Sequence, residues 1–252
     1  MEPILKVKDL TKTFTRSGQP PFTAVDHISF ELQPGECLGI IGESGSGKST
    51  VANMVTRLSD CTEGSVVLEG KDITTLTGNQ LKRAYQTMQM VFQTPTESFD
   101  PRRTLGDGIG ESLRNAGMSR TETKKRVEAL LQMCGLPAEF AHRYPHQVSG
   151  GQCQRAAIAR AIAVQPKVLI CDEATSALDV TIQKEVISLL MKLRQELNLS
   201  ILFICHDIAL VQQFCDRVMV MYKGTIVEQG IPDEVIRNPR NDYTIRLINS
   251  IL

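Results

Sequence analysis

The stretch Ile40-Ile41-Gly42-Glu43-Ser44-Gly45-Ser46-Gly47-Lys48-Ser49-Thr50 constrains this chain more than any other. An apolar run leads into glycines and small polar residues, and a helix-forming sequence follows. Gly42, four residues, then Gly47-Lys48-Ser49 is a spacing at which backbone N–H groups turn inward around a polyphosphate while the next helix points its positive end at it. Side chains would block that approach, so glycine is needed. On this reading Gly42, Ser44, Gly45, Ser46 and Gly47 form a phosphate cradle and Lys48 reaches the β- and γ-phosphates. The Ser49 hydroxyl holds Mg²⁺, and Thr50 lies near the α-phosphate.

The rest of the chain supplies a sheet for that loop to stand on. Residues 5–32 carry short alternating runs, clearest in Ile28-Ser29-Phe30-Glu31-Leu32 and broken at Ser17-Gly18-Gln19-Pro20-Pro21, which predict antiparallel strands beside the core. Pro34-Gly35 turns the chain into Cys37-Leu38-Gly39-Ile40-Ile41, a continuous apolar run expected of a strand covered on both faces. A helix should follow to about residue 58, then strands at 66–68 and 88–92 with a polar helical stretch near 81–86. After Gln93 the prolines at 95 and 101 break structure, and helical patterns dominate as far as residue 163. Ser119-Arg120-Thr121-Glu122 is a capping-box pattern, and Gly135 stands where the helix it opens should end. Strands at 168–171 and 201–205 flank a helical pattern at 182–197, and strand, helix, strand predicts a parallel sheet. A hairpin turning at Lys223-Gly224 and short helices at 232–237 and 243–251 complete the chain.

The bulk numbers exclude several classes. A chain of 252 residues with 42% hydrophobic content can bury a large core. With 28 Lys+Arg against 28 Asp+Glu there is no global field to draw it to nucleic acid or anionic lipid. The N-terminus alternates apolar and charged residues where a signal peptide needs an unbroken apolar core, so no secretion is expected. The apolar runs are strand-sized, so any link to a membrane goes through a partner. Seven cysteines, odd in number and without a Cys-x-x-Cys pair, predict neither zinc nor a disulfide framework and suit a reducing cytoplasm.

A second group of residues belongs with the loop. Asp172-Glu173 ends the apolar run 168–171, at the sheet edge where ligands of such folds bind. Asp172 can hold Mg²⁺ through water while Glu173 takes a proton from the attacking water. Gln93 and His206 follow apolar runs in the same way, so parallel neighbours would point both side chains at one crevice; a surface Gln and a structural His are the equal alternatives. Ser149-Gly150-Gly151-Gln152, after Val148, is a second small-residue loop before a helix and hence a second anion site. Pro145 breaks the helix that would bring His142 and His146 to one face, so no metal ligation is expected there.

Together with Ser176-Ala177-Leu178-Asp179, and in this order, these motifs resemble the ATP-binding-cassette (ABC) ATPases over nearly the entire chain. The resemblance implies an α/β fold: a P-loop NTPase-type parallel sheet core with an N-terminal antiparallel β subdomain and an inserted α-helical subdomain. That makes one nucleotide-binding domain over 1–252, with the core at 1–93 and 164–252 and the helical subdomain at 94–163. It further implies ATP hydrolysis with Mg²⁺. Gly42 to Thr50 resemble the Walker A motif, Gln93 the Q-loop, Ser149 to Gln152 the signature loop, Asp172 and Glu173 the Walker B acid and catalytic base. Asp179 resembles the D-loop acid and His206 the switch histidine, while Ser49, Gln93 and Asp172 would be the metal set. Phe14 resembles the aromatic residue on which adenine stacks; a buried strand Phe is the competing reading. In this family the signature loop of one subunit closes on ATP held by the phosphate loop of another.

Several local sequences resemble the peptide and nickel import group of these ATPases: Ser98-Phe99-Asp100-Pro101-Arg102, Arg143-Tyr144-Pro145-His146, Ala177-Leu178-Asp179-Val180-Thr181-Ile182-Gln183, Asn238-Pro239 and Tyr243-Thr244. Such importers pair two related but different ATPases, at the cytoplasmic face of the cell membrane, with two transmembrane permeases and an extracytoplasmic solute-binding protein. The groove near Gln93 and the helical subdomain would receive a permease helix. Val148, Cys153 and Ala174 depart from the usual Leu, polar residue and Pro. Ala174 and Leu202-Phe203-Ile204-Cys205-His206-Asp207 resemble nickel-type members and tilt the expected cargo toward nickel or a metal chelate over peptide. The alternative is a non-transport ABC ATPase acting on the ribosome or nucleic acid; such proteins usually fuse two cassettes or carry long coiled-coil insertions.

Overall fold

The computed structural model describes residues 2–15, 18, 20–96, 98–175 and 178–250. In chain order the elements are β1 (Leu5–Phe14), β2 (Phe22–Leu32), β3 (Cys37–Ile41), α1 (Lys48–Val55), β4 (Glu63–Leu68), β5 (Lys71–Asp72), α2 (Gly78–Thr87) and β6 (Met88–Val91). Next come α3 (Leu105–Asn115), α4 (Arg120–Met133) and α5 (Gly150–Ala161), interspersed with short 3₁₀ turns. Then follow β7 (Val168–Asp172), α6 (Val180–Leu197), β8 (Ser200–Ile204), α7 (Ile208–Phe214), β9 (Arg217–Tyr222), β10 (Thr225–Gly230), α8 (Pro232–Arg237) and α9 (Asp242–Asn249). Between β6 and β7 the described residues form helices and turns and no strand.

The strands form two sheets. One is antiparallel with order β2-β1-β4-β5; the other has order β10-β9-β3-β8-β7-β6, parallel from β9 through β6, with β10 added antiparallel at its edge. The continuous apolar runs of the parallel strands follow from burial on both faces. Side chains alternate along a strand, so Leu38, Ile40, Ile170, Leu202 and Ile204 join one core with α1 and the antiparallel sheet. Their neighbours Cys37, Ile41, Leu169, Cys171, Ile201 and Phe203 join the other, with α5, α6 and α7. Cys37 in β3, Cys171 in β7 and Cys205 just past β8 are buried free thiols, and all seven cysteines are free. Burial pushes thiols up, to about 12 for Cys134 and about 11 for Cys153, which keeps them protonated small hydrophobes.

Helix ends show where sequence signals suffice. Ser119 and Glu122 form the capping box of α4, and Gly135 (φ 72°) ends that helix. Its Schellman pair is Leu136 N–H to Leu131 C=O at 2.9 Å and Gly135 N–H to Gln132 C=O at 2.9 Å. By contrast α1 stops at Val55, short of residue 58, because Arg57 takes the left-handed conformation (φ 60°). It closes the same motif through Leu58 N–H to Asn53 C=O at 2.9 Å. No glycine marks that stop. The hairpin turns at Lys223-Gly224, both with positive φ (45° and 85°), the combination that matches the twist of the strands it joins.

Candidate functional site

Register places four strand ends in one row. Ile40 pairs with Ile204, Ile204 with Asp172, and Cys171 with Val91 across parallel ladders. The residues that follow these strands therefore emerge along a single sheet edge: Gly42 after β3, His206 after β8, Glu173 after β7 and Gln93 after β6. This is where a parallel sheet binds ligands.

Backbone closeness explains the glycines of the loop between β3 and α1. A Cβ on Gly42 would stand 2.2 Å from the Met221 carbonyl oxygen of β9, and one on Gly47 2.4 Å from the Ala24 carbonyl oxygen of β2. Any side chain at either position would push the loop off its supports. The loop leads into α1, whose first amides have no intrahelical acceptor and point toward an incoming anion. Lys48 opens that helix, and its ammonium donates to the carbonyl oxygens of Gly42 and Glu43, both at 2.8 Å. Burial lowers the Lys48 pKa, opposed chiefly by the Glu173 carboxylate. Held within the loop, the ammonium lies beside the site where a phosphate would lodge.

The acids complete this side. Asp172 is 7% exposed, and burial raises its pKa while the Ser49 hydroxyl, donating to its Oδ1 at 3.0 Å, works against that rise. Glu173 adopts the left-handed conformation (φ 46°), with its N–H on the Ile204 carbonyl at 2.9 Å. For a residue with a Cβ this costs on the order of 1 kcal/mol or more. The turn presents its carboxylate to Gln93, whose Nε2 donates to Oε2 at 2.8 Å. Ser49 hydroxyl, Gln93 amide oxygen and Asp172 carboxylate are hard oxygen donors, the set that suits Mg²⁺. These residues therefore fit the ion that the sequence implies. Asn53, Phe92, Gln93 and Asp172 line a groove of about 400 Å³ on this edge.

The second glycine loop lies apart. Ser149 caps α5, its hydroxyl accepting the Gln152 N–H at 3.3 Å while its own N–H donates to Gln152 Oε1 at 2.9 Å. A Cβ on Gly151 would stand 2.4 Å from Ile182 Cγ2, so α6 presses against the loop from behind, while Ser149 and Gly150 are exposed. Among the described residues no hydrogen bond or ion pair joins 149–152 to the phosphate loop. Asp179 is exposed and precedes α6, with its carbonyl accepting the Gln183 N–H at 2.8 Å. That helix starts earlier than the expected 182; Ser176 and Ala177 lie outside the described residues. His206 is exposed, just before Asp207, which caps α7.

Phe14 is 43% exposed at the end of β1, opposite Phe22, which is 63% exposed. The competing reading of Phe14 as a buried strand residue is thus incorrect. Opposed residues share a face of the hairpin, and Lys12 Nζ lies 5.3 Å from the Phe14 ring centroid. One contact escaped sequence reasoning: the Tyr243 hydroxyl accepts the Glu43 N–H of the phosphate loop at 3.0 Å. No periodicity announces a bond between residues 200 positions apart.

Comparison with known proteins adds the following. The family model described as "ABC transporter" matches residues 25–176. The chain is 46% identical over 237 residues to the oligopeptide transport ATP-binding protein OppF of Salmonella typhimurium and of Escherichia coli, covering 92% of this chain and 71% of OppF. It is 45% identical over 257 residues to the glutathione import ATP-binding protein GsiA of Salmonella choleraesuis, covering 99% of this chain but only 41% of GsiA. Among solved structures it resembles the ATP-binding cassette MJ0796 in a dimeric post-hydrolysis state bound to ADP and Pi, with TM-score 0.83 and 31% identity over 90% of this chain and 98% of that one. It also resembles CbiO1 from Clostridium perfringens, part of the CbiONQ transporter complex, with TM-score 0.82 and 29% identity over 100% of this chain and 96% of that one.

Proposed function

The chain belongs to the ABC transporter ATPase family, and on that footing we propose that it drives import of short peptides by closing on a second, non-identical ATPase at the cytoplasmic face of the membrane. It is an importer ATPase, not a ribosome- or nucleic-acid-directed one. It binds and hydrolyses ATP, dimerises, and works with membrane permeases. No helix among its described residues is long and apolar enough to cross a membrane, in keeping with attachment through such partners. Peptide cargo is supported by the names of OppF and GsiA, which specify oligopeptide and glutathione. Neither names nickel, and the tilt toward a metal chelate rests on Ala174 and residues 202–207 alone.

The strand-end row and the separate glycine loop support the roles assigned here, and that pairing carries the proposal. The phosphate loop amides and Lys48 hold the triphosphate, and Phe14 stacks on adenine. Ser49, Gln93 and Asp172 would hold Mg²⁺, whose charge, when bound, offsets that of the β- and γ-phosphates. Glu173 takes the proton of the attacking water as its oxygen bonds the γ-phosphorus and the bridge to ADP breaks. Gln93 holds the Glu173 carboxylate in place, and His206 contacts the γ-phosphate. Ser149 to Gln152 of the opposite subunit bring the positive end of α5 to that phosphate, with Asp179 beside the junction. Hydrolysis disperses the charge that holds the two halves together, and they part.

Cargo is tested in proteoliposomes holding this chain with its permeases and partner ATPase. ATP turnover should rise with binding protein loaded with a short peptide, because coupled conformational change closes the dimer and completes its sites. Stimulation by a nickel chelate and not by peptide would reassign the cargo.

A further inference from the structure

Resting on the nucleotide-binding reading above, we infer that Tyr243 of α9 is a positioning residue for the phosphate loop. Its hydroxyl accepts the Glu43 N–H at 3.0 Å, while the Glu43 carbonyl oxygen accepts from Lys48 Nζ at 2.8 Å. Both polar backbone groups of Glu43 are therefore taken, one from outside the loop and one from within. Lys48 also rests on Gly42 C=O, so the orientation of this short segment decides where the ammonium points.

The tyrosine is itself fixed. It is 4% exposed, and its ring stacks on Tyr222 at 4.0 Å between centroids and 26° between planes. Tyr222 ends β9, and the turn after it sends the Gly224 N–H to the Ser46 carbonyl oxygen at 3.0 Å. The start of α9 is pinned by Asn241, whose Oδ1 accepts the Tyr243 N–H at 2.9 Å. The Glu228 carboxylate in turn accepts the N–H groups of Arg240 and Asn241 at 2.9 and 3.1 Å. The loop is thus braced from the C-terminal side at the Glu43 amide, at the Ser46 carbonyl and at Gly42, against which the Met221 carbonyl lies. A buried tyrosine needs some partner for its hydroxyl. Here that partner is a loop whose geometry sets phosphate binding.

Tyr243→Phe keeps the ring and its stacking and deletes the acceptor. ATP affinity of the full chain, measured by calorimetry, should fall about 3- to 10-fold, the scale of one lost buried hydrogen bond. In the assembled transporter KM for ATP should rise by the same factor with kcat within about twofold, since the bond shapes binding and not the reacting atoms. Wild-type ATP affinity in Tyr243→Phe, even with a lowered Tm, would reduce the residue to a packing role and overturn the inference. Failure of the wild-type chain itself to bind ATP would overturn both the inference and the reading beneath it.

Discussion

Glu173→Gln is expected to slow ATP hydrolysis by about 10²- to 10⁴-fold, the usual reach of a general base, while ATP still binds. The substitution is nearly isosteric, so the left-handed turn at Glu173 and the bond from its N–H to Ile204 remain. What disappears is the carboxylate that could accept a proton from water. Because binding persists without turnover, the closed dimer should accumulate and be visible by light scattering or size-exclusion chromatography in ATP. Single-turnover hydrolysis at the wild-type rate, with the partner ATPase present, would remove Glu173 from this role.

Lys48→Ala acts one step earlier. The ammonium is the positive side-chain charge of the loop, and charge-assisted bonds of this kind contribute about 1.5–3 kcal/mol each. Two such bonds to the β- and γ-phosphates predict ATP affinity lowered by about 10²- to 10⁴-fold at 1.4 kcal/mol per decade. The variant also frees the carbonyls of Gly42 and Glu43, which then turn to water. Calorimetric titration with ATP reads the loss directly. Affinity within threefold of wild type would mean that backbone amides alone hold the triphosphate and that Lys48 serves only the fold.

The two substitutions separate because Lys48 opens α1 after β3 while Glu173 follows β7. Sequence alone identifies both positions: Lys48 through glycine spacing, and Glu173 through an apolar run that ends in two acids. It also marks the parallel strands, since residues buried on both faces leave continuous apolar runs, and it marks the cap that carries a side-chain signature, Ser119 with Glu122. Signals fail where backbone conformation is held by tertiary contact. Arg57 and Glu173 take left-handed conformations that only glycine would have advertised. The beginning of α6 at Val180 is hidden because β-branched Val180 and Thr181 are weak helix formers. Phe14 could not be sorted into buried or exposed from β1 alone, because shifts of register along the β1–β2 pairing change which face its end residues occupy. The Gln93–Glu173 bond and the Tyr243–Glu43 bond join elements far apart in sequence, so residue types suggest candidates there and only the fold brings them together.

The two glycine loops rest on different parts of the fold. Both end in helix N-termini suited to anions, yet each is held to its own framework: the phosphate loop to β2 and β9, and the Ser149 loop to α6. On the proposed reading, a single subunit grips a triphosphate with the phosphate loop, and the Ser149 loop of a neighbour supplies the second grip. ATP turnover per subunit, measured across a wide range of protein concentration with and without the partner ATPase, tests this most directly. Turnover should climb with concentration, or on adding the partner, and level off once subunits are paired. Full turnover that stays flat from dilute monomer upward, and ignores the partner, would contradict it.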